Sequence, residues 1–340
     1  MSEPLRPFTL GEILDRTAQL YRRSFLLFAG VSAVPAAVLI GVLIPMIAGV
    51  AFLGEAAAKG GAPQNPALFI LIAVFVLVAI PVAMAAAVVS QAALVRAAID
   101  AHMERKMRIR DAIKSVWPRF WRYLGVMFLQ GIFAGLIPGA IAGAAIGLVF
   151  LLARLAAGGG LATGAAIGFF TFVIAAAAFV VIVIRALGYS LALPACIAED
   201  KSAWSSIKRS AKLSKGTRGR IFLMFLLVYA LSIIVSILGY IPMVVITAVA
   251  AAMGEGVRVM SIVLVATEIV NVLVNFALQT LITPVYMTAL VLFYYDQRIR
   301  TEGYDIEWMM ERAGLTGAER APGLATAASD PSPDTGTGNG

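Results

Sequence analysis

Six apolar runs constrain this chain more than any other feature. They cover residues 25–53, 67–99, 123–153, 161–197, 221–253 and 259–295. About 20 helical residues cross the hydrocarbon core of a bilayer, and every run exceeds that length. A signal-peptide core spans only about 7–15 residues, so the first run reads as a span. Hydrophobic residues make up 61% of the chain and charged residues 14%, which is more apolar surface than a soluble domain can bury. The expected fold is all-α: a polytopic membrane bundle of six transmembrane helices. Runs this long must tilt, kink or project beyond the lipid. Pro81, Pro194 and Pro284 are the expected break points in the even-numbered runs.

The charges sort by loop. Arg6, Arg16, Arg22 and Arg23 precede the first run; Arg105, Lys106, Arg108, Arg110, Lys114, Arg119 and Arg122 follow the second. Lys201, Lys208, Arg209, Lys212, Lys215, Arg218 and Arg220 follow the fourth, and Arg298, Arg300, Arg312 and Arg320 follow the sixth. The opposite loops carry only Lys59, Arg154 and Arg258. This asymmetry puts both termini in the cytoplasm. The net charge of +8 is therefore a membrane-orientation signal, not a nucleic-acid footprint. Cys196 and His102 are the only residues of their kinds, which excludes an intrachain disulfide and a His/Cys metal cluster. No cofactor is expected.

Three of the basic segments read as amphipathic helices. In residues 8–24, Thr9 and Glu12 fit a capping box with Phe8 and Ile13 as its staple. Leu10, Ile13, Leu14, Thr17 and Tyr21 recur at helical spacing. In the second segment, Ile109, Ala112, Ile113, Val116, Trp117 and Phe120 form one stripe among basic residues. The third opens at Trp204. Their position beside spans favours helices lying flat in the interface. There Arg108, Arg110, Lys114, Lys208, Arg209, Lys212 and Lys215 would gather anionic lipid.

A basic segment precedes runs one, three and five, and each of those runs holds an Ile-Pro step at Pro45, Pro138 and Pro242. Glycines mark the outer turns at 60–61, 158–160, 254 and 256. The pattern reads as a parallel triplication of one unit: amphipathic helix, span, turn, span. The domain plan is an N-terminal amphipathic helix at 1–24, a membrane domain at 25–312 and a disordered tail at 313–340. Within the membrane domain, Asp305 caps a short helix carrying Ile306, Met309 and Met310. The tail is too polar and too small in its side chains to fold.

Two constellations stand out inside the runs. Gly131, Gly135, Gly139, Gly143 and Gly147 recur every fourth residue, a spacing that lets helix backbones approach, either within the chain or across a dimer. Glu268, Asn271, Asn275 and Gln279 form a polar stripe on the sixth run. Arg185, Gln91 and Gln130 lie in other runs. These groups serve either as structural glue or as a polar path for a ligand or ion. Counting rise per residue places Glu268 shallower than Arg185, which disfavours a direct pair and leaves Arg185 to snorkel.

Three stretches, PFTLGEILDRTAQLYRRSFLLF, PACIAED and YYDQRIRTEGYDIEWM, together resemble a family of bacterial and archaeal membrane proteins. That family is named for the membrane domain of glycerophosphoryl diester phosphodiesterases, and the resemblance spans residues 8–312. It implies a membrane module that in some members is joined to a catalytic barrel. That barrel's chemistry uses paired histidines with acidic metal ligands, and this chain has only His102. The expected function is thus a non-enzymatic integral protein of the bacterial cytoplasmic membrane, lipid-binding or scaffold-like. Anionic membrane lipids are its expected partners, with a homo-oligomer or a membrane-protein partner left open and no nucleic acid. A transporter or channel using the polar stripe is the alternative. A membrane subunit associated with a glycerophosphodiesterase ranks behind both.

Overall fold

The computed structural model describes residues 8–58, 66–105, 107–155, 160–253 and 257–303. It is all-helical there, with no strand among the described residues. The expected outer turns at 60–61, 158–159, 254 and 256, the short helix at 305–310 and the tail lie outside those residues.

Helix α1 (Leu10–Arg23) starts as its sequence dictates. The Glu12 amide donates to Thr9 Oγ1 at 3.3 Å and the Thr9 amide donates to Glu12 Oε2 at 2.8 Å, which satisfies two orphan donors of the first turn. Helix α2 (Phe25–Ala58) follows after one residue, then α3 (Pro66–His102). The third run enters through α4 (Ile109–Val116) and a 3-10 turn at Trp117–Arg119, continuing as α5 (Phe120–Gly131). A π turn at Ile132–Leu136 leads into α6 (Ile137–Leu155). Pro138 has no N–H for the Ala134 carbonyl four residues earlier, and the widened turn falls there. The fourth run splits into α7 (Leu161–Tyr189) and α8 (Ala192–Ala198). Helices α9 (Ala203–Leu213), α10 (Arg218–Met253) and α11 (Val257–Glu302) complete the order.

Five helical stretches among the described residues are long and apolar enough to cross a membrane: 73–102, 109–155, 163–198, 218–249 and 266–302. In α2 the corresponding described stretch is the shorter Phe25–Val38. The proline expectation needs correcting in two places. Pro81 and Pro284 sit inside continuous helices α3 and α11. Neighbouring helices and local adjustment let a buried helix absorb a missing N–H.

The chain divides into two compact units, residues 8–297 and a second formed by 1–7 with 298–340. Of the second unit, 298–303 is described; it ends α11, with Arg298 Nε 3.4 Å from Glu302 Oε2. The core of the first unit lies at its basic end. It is built from Val88–Ile99 of α3, Leu187–Ile197 of α7 and α8, and Met287–Tyr295 of α11. The other ends of the long helices present their side chains outward, with Leu77 and Phe172 both 72% exposed and Leu238 62%. Lipid tails are as apolar as these residues, so no hydrophobic force draws the far ends together.

The short helices close the basic end from within. Helix α1 buries Ile13, Thr17 and Leu20, α4 buries Ala112 and Val116, and α9 buries Ser206, Ile207, Ser210 and Leu213. These residues pack on protein, while Ile109, Trp117 and Trp204 of the same basic segments stay exposed, at 38%, 65% and 49%. Ile109 also touches α2, its Cδ1 lying against Gly30.

Candidate functional site

The only break inside an apolar run, among the described residues, is at Ser190–Leu191, between α7 and α8. Pro194 lies four residues beyond Ser190 and cannot donate to its carbonyl, so the helix ends where that bond would have formed. The break leaves backbone polar groups without their intrahelical partners. Side chains take them over one by one. Ser190 Oγ donates to the Leu187 carbonyl at 2.9 Å. The Gly188 carbonyl accepts from Ser210 Oγ at 2.9 Å and from Ser214 Oγ at 3.0 Å. Gln130 Nε2 on α5 donates to the Tyr189 carbonyl at 2.5 Å. The Leu191 amide donates to Ser210 Oγ at 3.1 Å. Serines at 210 and 214 share one face of α9 by their spacing of four, which is why both reach the same carbonyl.

A half-open cavity of about 240 Å³ lies against this break. Its polar lining comes from Gln91, Gln130, Tyr189, Ser190 and Tyr286, and residues such as Leu193, Phe225 and Leu290 supply the apolar part. No charged side chain lines it. The Tyr286 ring stands 5.0 Å from that of Phe225. Neither the Gln91 amide nor the Tyr286 hydroxyl has a protein hydrogen-bond partner among the described residues. Such a lining offers donors and acceptors without charge, in a pocket open on one side.

Two guanidiniums flank the same stretch of α7. Arg185 is exposed and donates from Nη1 to the Tyr189 hydroxyl at 3.1 Å. Arg218, also exposed, lies over Gly188, its Nη2 3.7 Å from where a Cβ would stand. Neither arginine has a carboxylate partner among the described residues.

The remaining sequence candidates are more scattered. Glu268, Asn275 and Gln279 are exposed and Asn271 is half-buried, so the stripe does not face the bundle core. Asn275 Nδ2 donates to Asn271 Oδ1 at 2.6 Å. Arg185 bonds Tyr189 and not Glu268. The glycine ladder does not pack within the chain: a Cβ on Gly131, Gly135, Gly139, Gly143 or Gly147 would meet nothing within 4 Å among the described residues. Intramolecular packing is thus corrected; the close approach occurs instead at Gly239, where a Cβ would stand 2.9 Å from Val274 Cγ1. Of the basic belt, Arg108, Arg110, Lys114, Lys208, Lys212 and Lys215 are exposed. Arg209 departs from it, being only 14% exposed with its Nε 2.9 Å from Glu199 Oε1.

That pair belongs to a polar cluster no sequence pattern announced. Glu199 Oε1 also accepts from the Tyr294 hydroxyl at 2.5 Å, and Oε2 lies 2.5 Å from Lys201 Nζ. Burial pushes the Glu199 pKa up; hydrogen bonds from Lys201, Tyr294 and Arg209 outweigh it and hold the carboxyl below its ordinary range. Asp200 pairs with Arg122 and, at 3.1 Å, with Arg119. Asp296 accepts from the Phe8 amide at 2.8 Å and from Arg220 Nη1 at 3.3 Å, while Arg220 Nη2 donates to the Phe8 carbonyl at 3.0 Å. The opening Phe8, the Glu199-Asp200 pair and the Tyr294–Asp296 stretch thus meet at one end of the bundle.

Searches against protein-family models, curated proteins and solved structures found no match. The described residues form an all-helical protein with apolar helices of membrane-spanning length, braced at a helix break beside a neutral pocket.

Proposed function

We propose that the chain is a non-enzymatic integral membrane protein that binds lipid. In this reading it has six spans arranged as three parallel units, with both termini on the cytoplasmic face of a bacterial inner membrane. The element order supports the triplication: α1 with α2 and α3, α4 to α6 with α7, and α9 with α10 and α11. The charge asymmetry supports the orientation.

One observation carries the lipid-binding reading: the pocket at the break. Discontinuous helices in membranes are tolerated where they line a cavity or are buried in protein. Here the break does line one, and the pocket is half open. Native mass spectrometry of the full chain released from nanodiscs tests the reading. Lipid should survive delipidation that strips bulk lipid, and re-adding lipid should raise the melting temperature. Complete loss of lipid with no change in melting overturns it.

A transporter reading has one observation in its favour: Glu268 stays exposed on a helix of membrane-spanning length, and an ionisable group in lipid is costly without a partner or a water-filled path. Glu268→Gln would then abolish ion flux in liposomes without lowering the melting temperature.

A further inference from the structure

We infer that Arg185 and Arg218 hold the phosphate of a phospholipid whose uncharged, hydroxyl-bearing headgroup occupies the pocket lined by Gln91, Gln130 and Tyr286. This rests on the lipid-binding reading and names the lipid class.

Depth comes first. Arg185 stands 24 residues along α7 from Leu161, about 36 Å at 1.5 Å per residue. The hydrocarbon core is about 30 Å thick. A helix entering at its first residue has therefore left the acyl chains by Arg185. The break and the pocket follow immediately, at the level of the headgroups of the leaflet facing the basic end.

Charge comes second. Arg185 and Gly188 are three residues apart and so share a helix face. Arg185 reaches along it to Tyr189, and Arg218 lies over Gly188, where the missing side chain leaves it room. Two guanidiniums without carboxylate partners beside one helix stretch match a phosphodiester, which arginine grips through paired N–H donors.

The headgroup follows from the pocket. The Gln91 amide and the Tyr286 hydroxyl lack protein partners. Gln130 spends its Nε2 on the Tyr189 carbonyl, leaving its carbonyl oxygen as an acceptor. Together they present donors and acceptors, the complement of hydroxyl groups, which do both. An ammonium headgroup brings donors and a positive charge, and no carboxylate lines the pocket to receive it. Gln91 and Tyr286 are both half-buried and line the pocket, where a polyol headgroup would supply their hydrogen bonds.

The full chain in detergent, delipidated and titrated by native mass spectrometry, separates the outcomes. Phosphatidylglycerol should bind about tenfold more tightly than phosphatidylethanolamine. Arg185→Gln and Arg218→Gln should each weaken both lipids. Tyr286→Phe, which removes one oxygen and no bulk, should lower the preference without weakening phosphatidylethanolamine. Equal binding of the two lipids by wild type overturns the headgroup assignment while the lipid-binding reading stands. If neither lipid binds, both fall. Unchanged affinity in the two arginine variants overturns the phosphate site. Free glycerol phosphate should not displace the lipid at equal concentration; if it does, the site takes a soluble phosphate ester and the lipid assignment is overturned.

Discussion

Glu199 concentrates three donors on one carboxylate that is mostly buried. Replacing it with glutamine removes the charge on which Arg209, Lys201 and Tyr294 converge. Breaking such a pair costs about 3 kcal/mol, so Glu199→Gln should melt well below wild type at neutral pH. The sign of the pH dependence follows from its lowered folded-state pKa. The stabilisation is fully present above the unfolded carboxylate value, about 4.3, and fades as pH falls through the folded value. The gap in melting temperature between the two proteins should therefore close in acid. The serines of α9 give a graded second case. Ser210→Ala strands the Leu191 amide and removes one of two donors to the Gly188 carbonyl, at about 1–3 kcal/mol. Ser214→Ala leaves that carbonyl with Ser210 and should cost less. Equal melting of the two variants in detergent would contradict the bracing described at the break. Polarity at single positions was partly legible: Arg185, Gln91 and Gln130 stand out in apolar runs. Ser210 and Ser214 do not, because serine in a basic loop helix looks like solvated surface until the broken helix is beside it.

The helices and the capped start of α1 were readable from spacing alone, since capping and periodicity are local. Partners were not, because a stripe of apolar side chains looks the same whether lipid or protein covers it. That is why the stripes of α4 and α9 read as lipid-facing in the sequence, yet Ala112, Val116, Ile207 and Leu213 are buried in the bundle while Trp117 and Trp204 stay exposed. Glycine spacing misleads for the same reason. The regular ladder on α5 and α6 meets open space, whereas the isolated Gly239 meets Val274, whose branched side chain has little freedom to move. Gly239→Ala should destabilise by about 1–3 kcal/mol through overpacking, offset in part by alanine's better helix propensity. Gly139→Ala, with nothing to strike, should be neutral or mildly stabilising. A drop in melting temperature for Gly139→Ala equal to that for Gly239→Ala would restore the ladder as a packing surface.

At the scale of the molecule, the long apolar helices follow from composition, whereas the concentration of the core at one end does not. Sequence periodicity cannot say how far along two helices stay in contact. The proposed orientation is checked with single cysteines in a Cys196→Ser background. A cysteine at Arg154 should label with an impermeant reagent in intact cells, and one at Lys212 should not; the reverse pattern overturns the topology. The clasp between Phe8, Arg220 and Asp296 has a further consequence, in time. Its first and last members are 288 residues apart, a delay of roughly 15–60 s at ribosomal speeds of about 5–20 residues per second. Through that interval α1 has no Asp296 to receive it, and the basic end cannot close until nearly the whole chain has been inserted. Nascent chains stalled before residue 294 emerges should be cut by protease within residues 10–23, and those stalled after residue 297 is free should resist. The protein is thus assembled late and all at once, and any factor that guards its immature form must act on the basic ends of its helices.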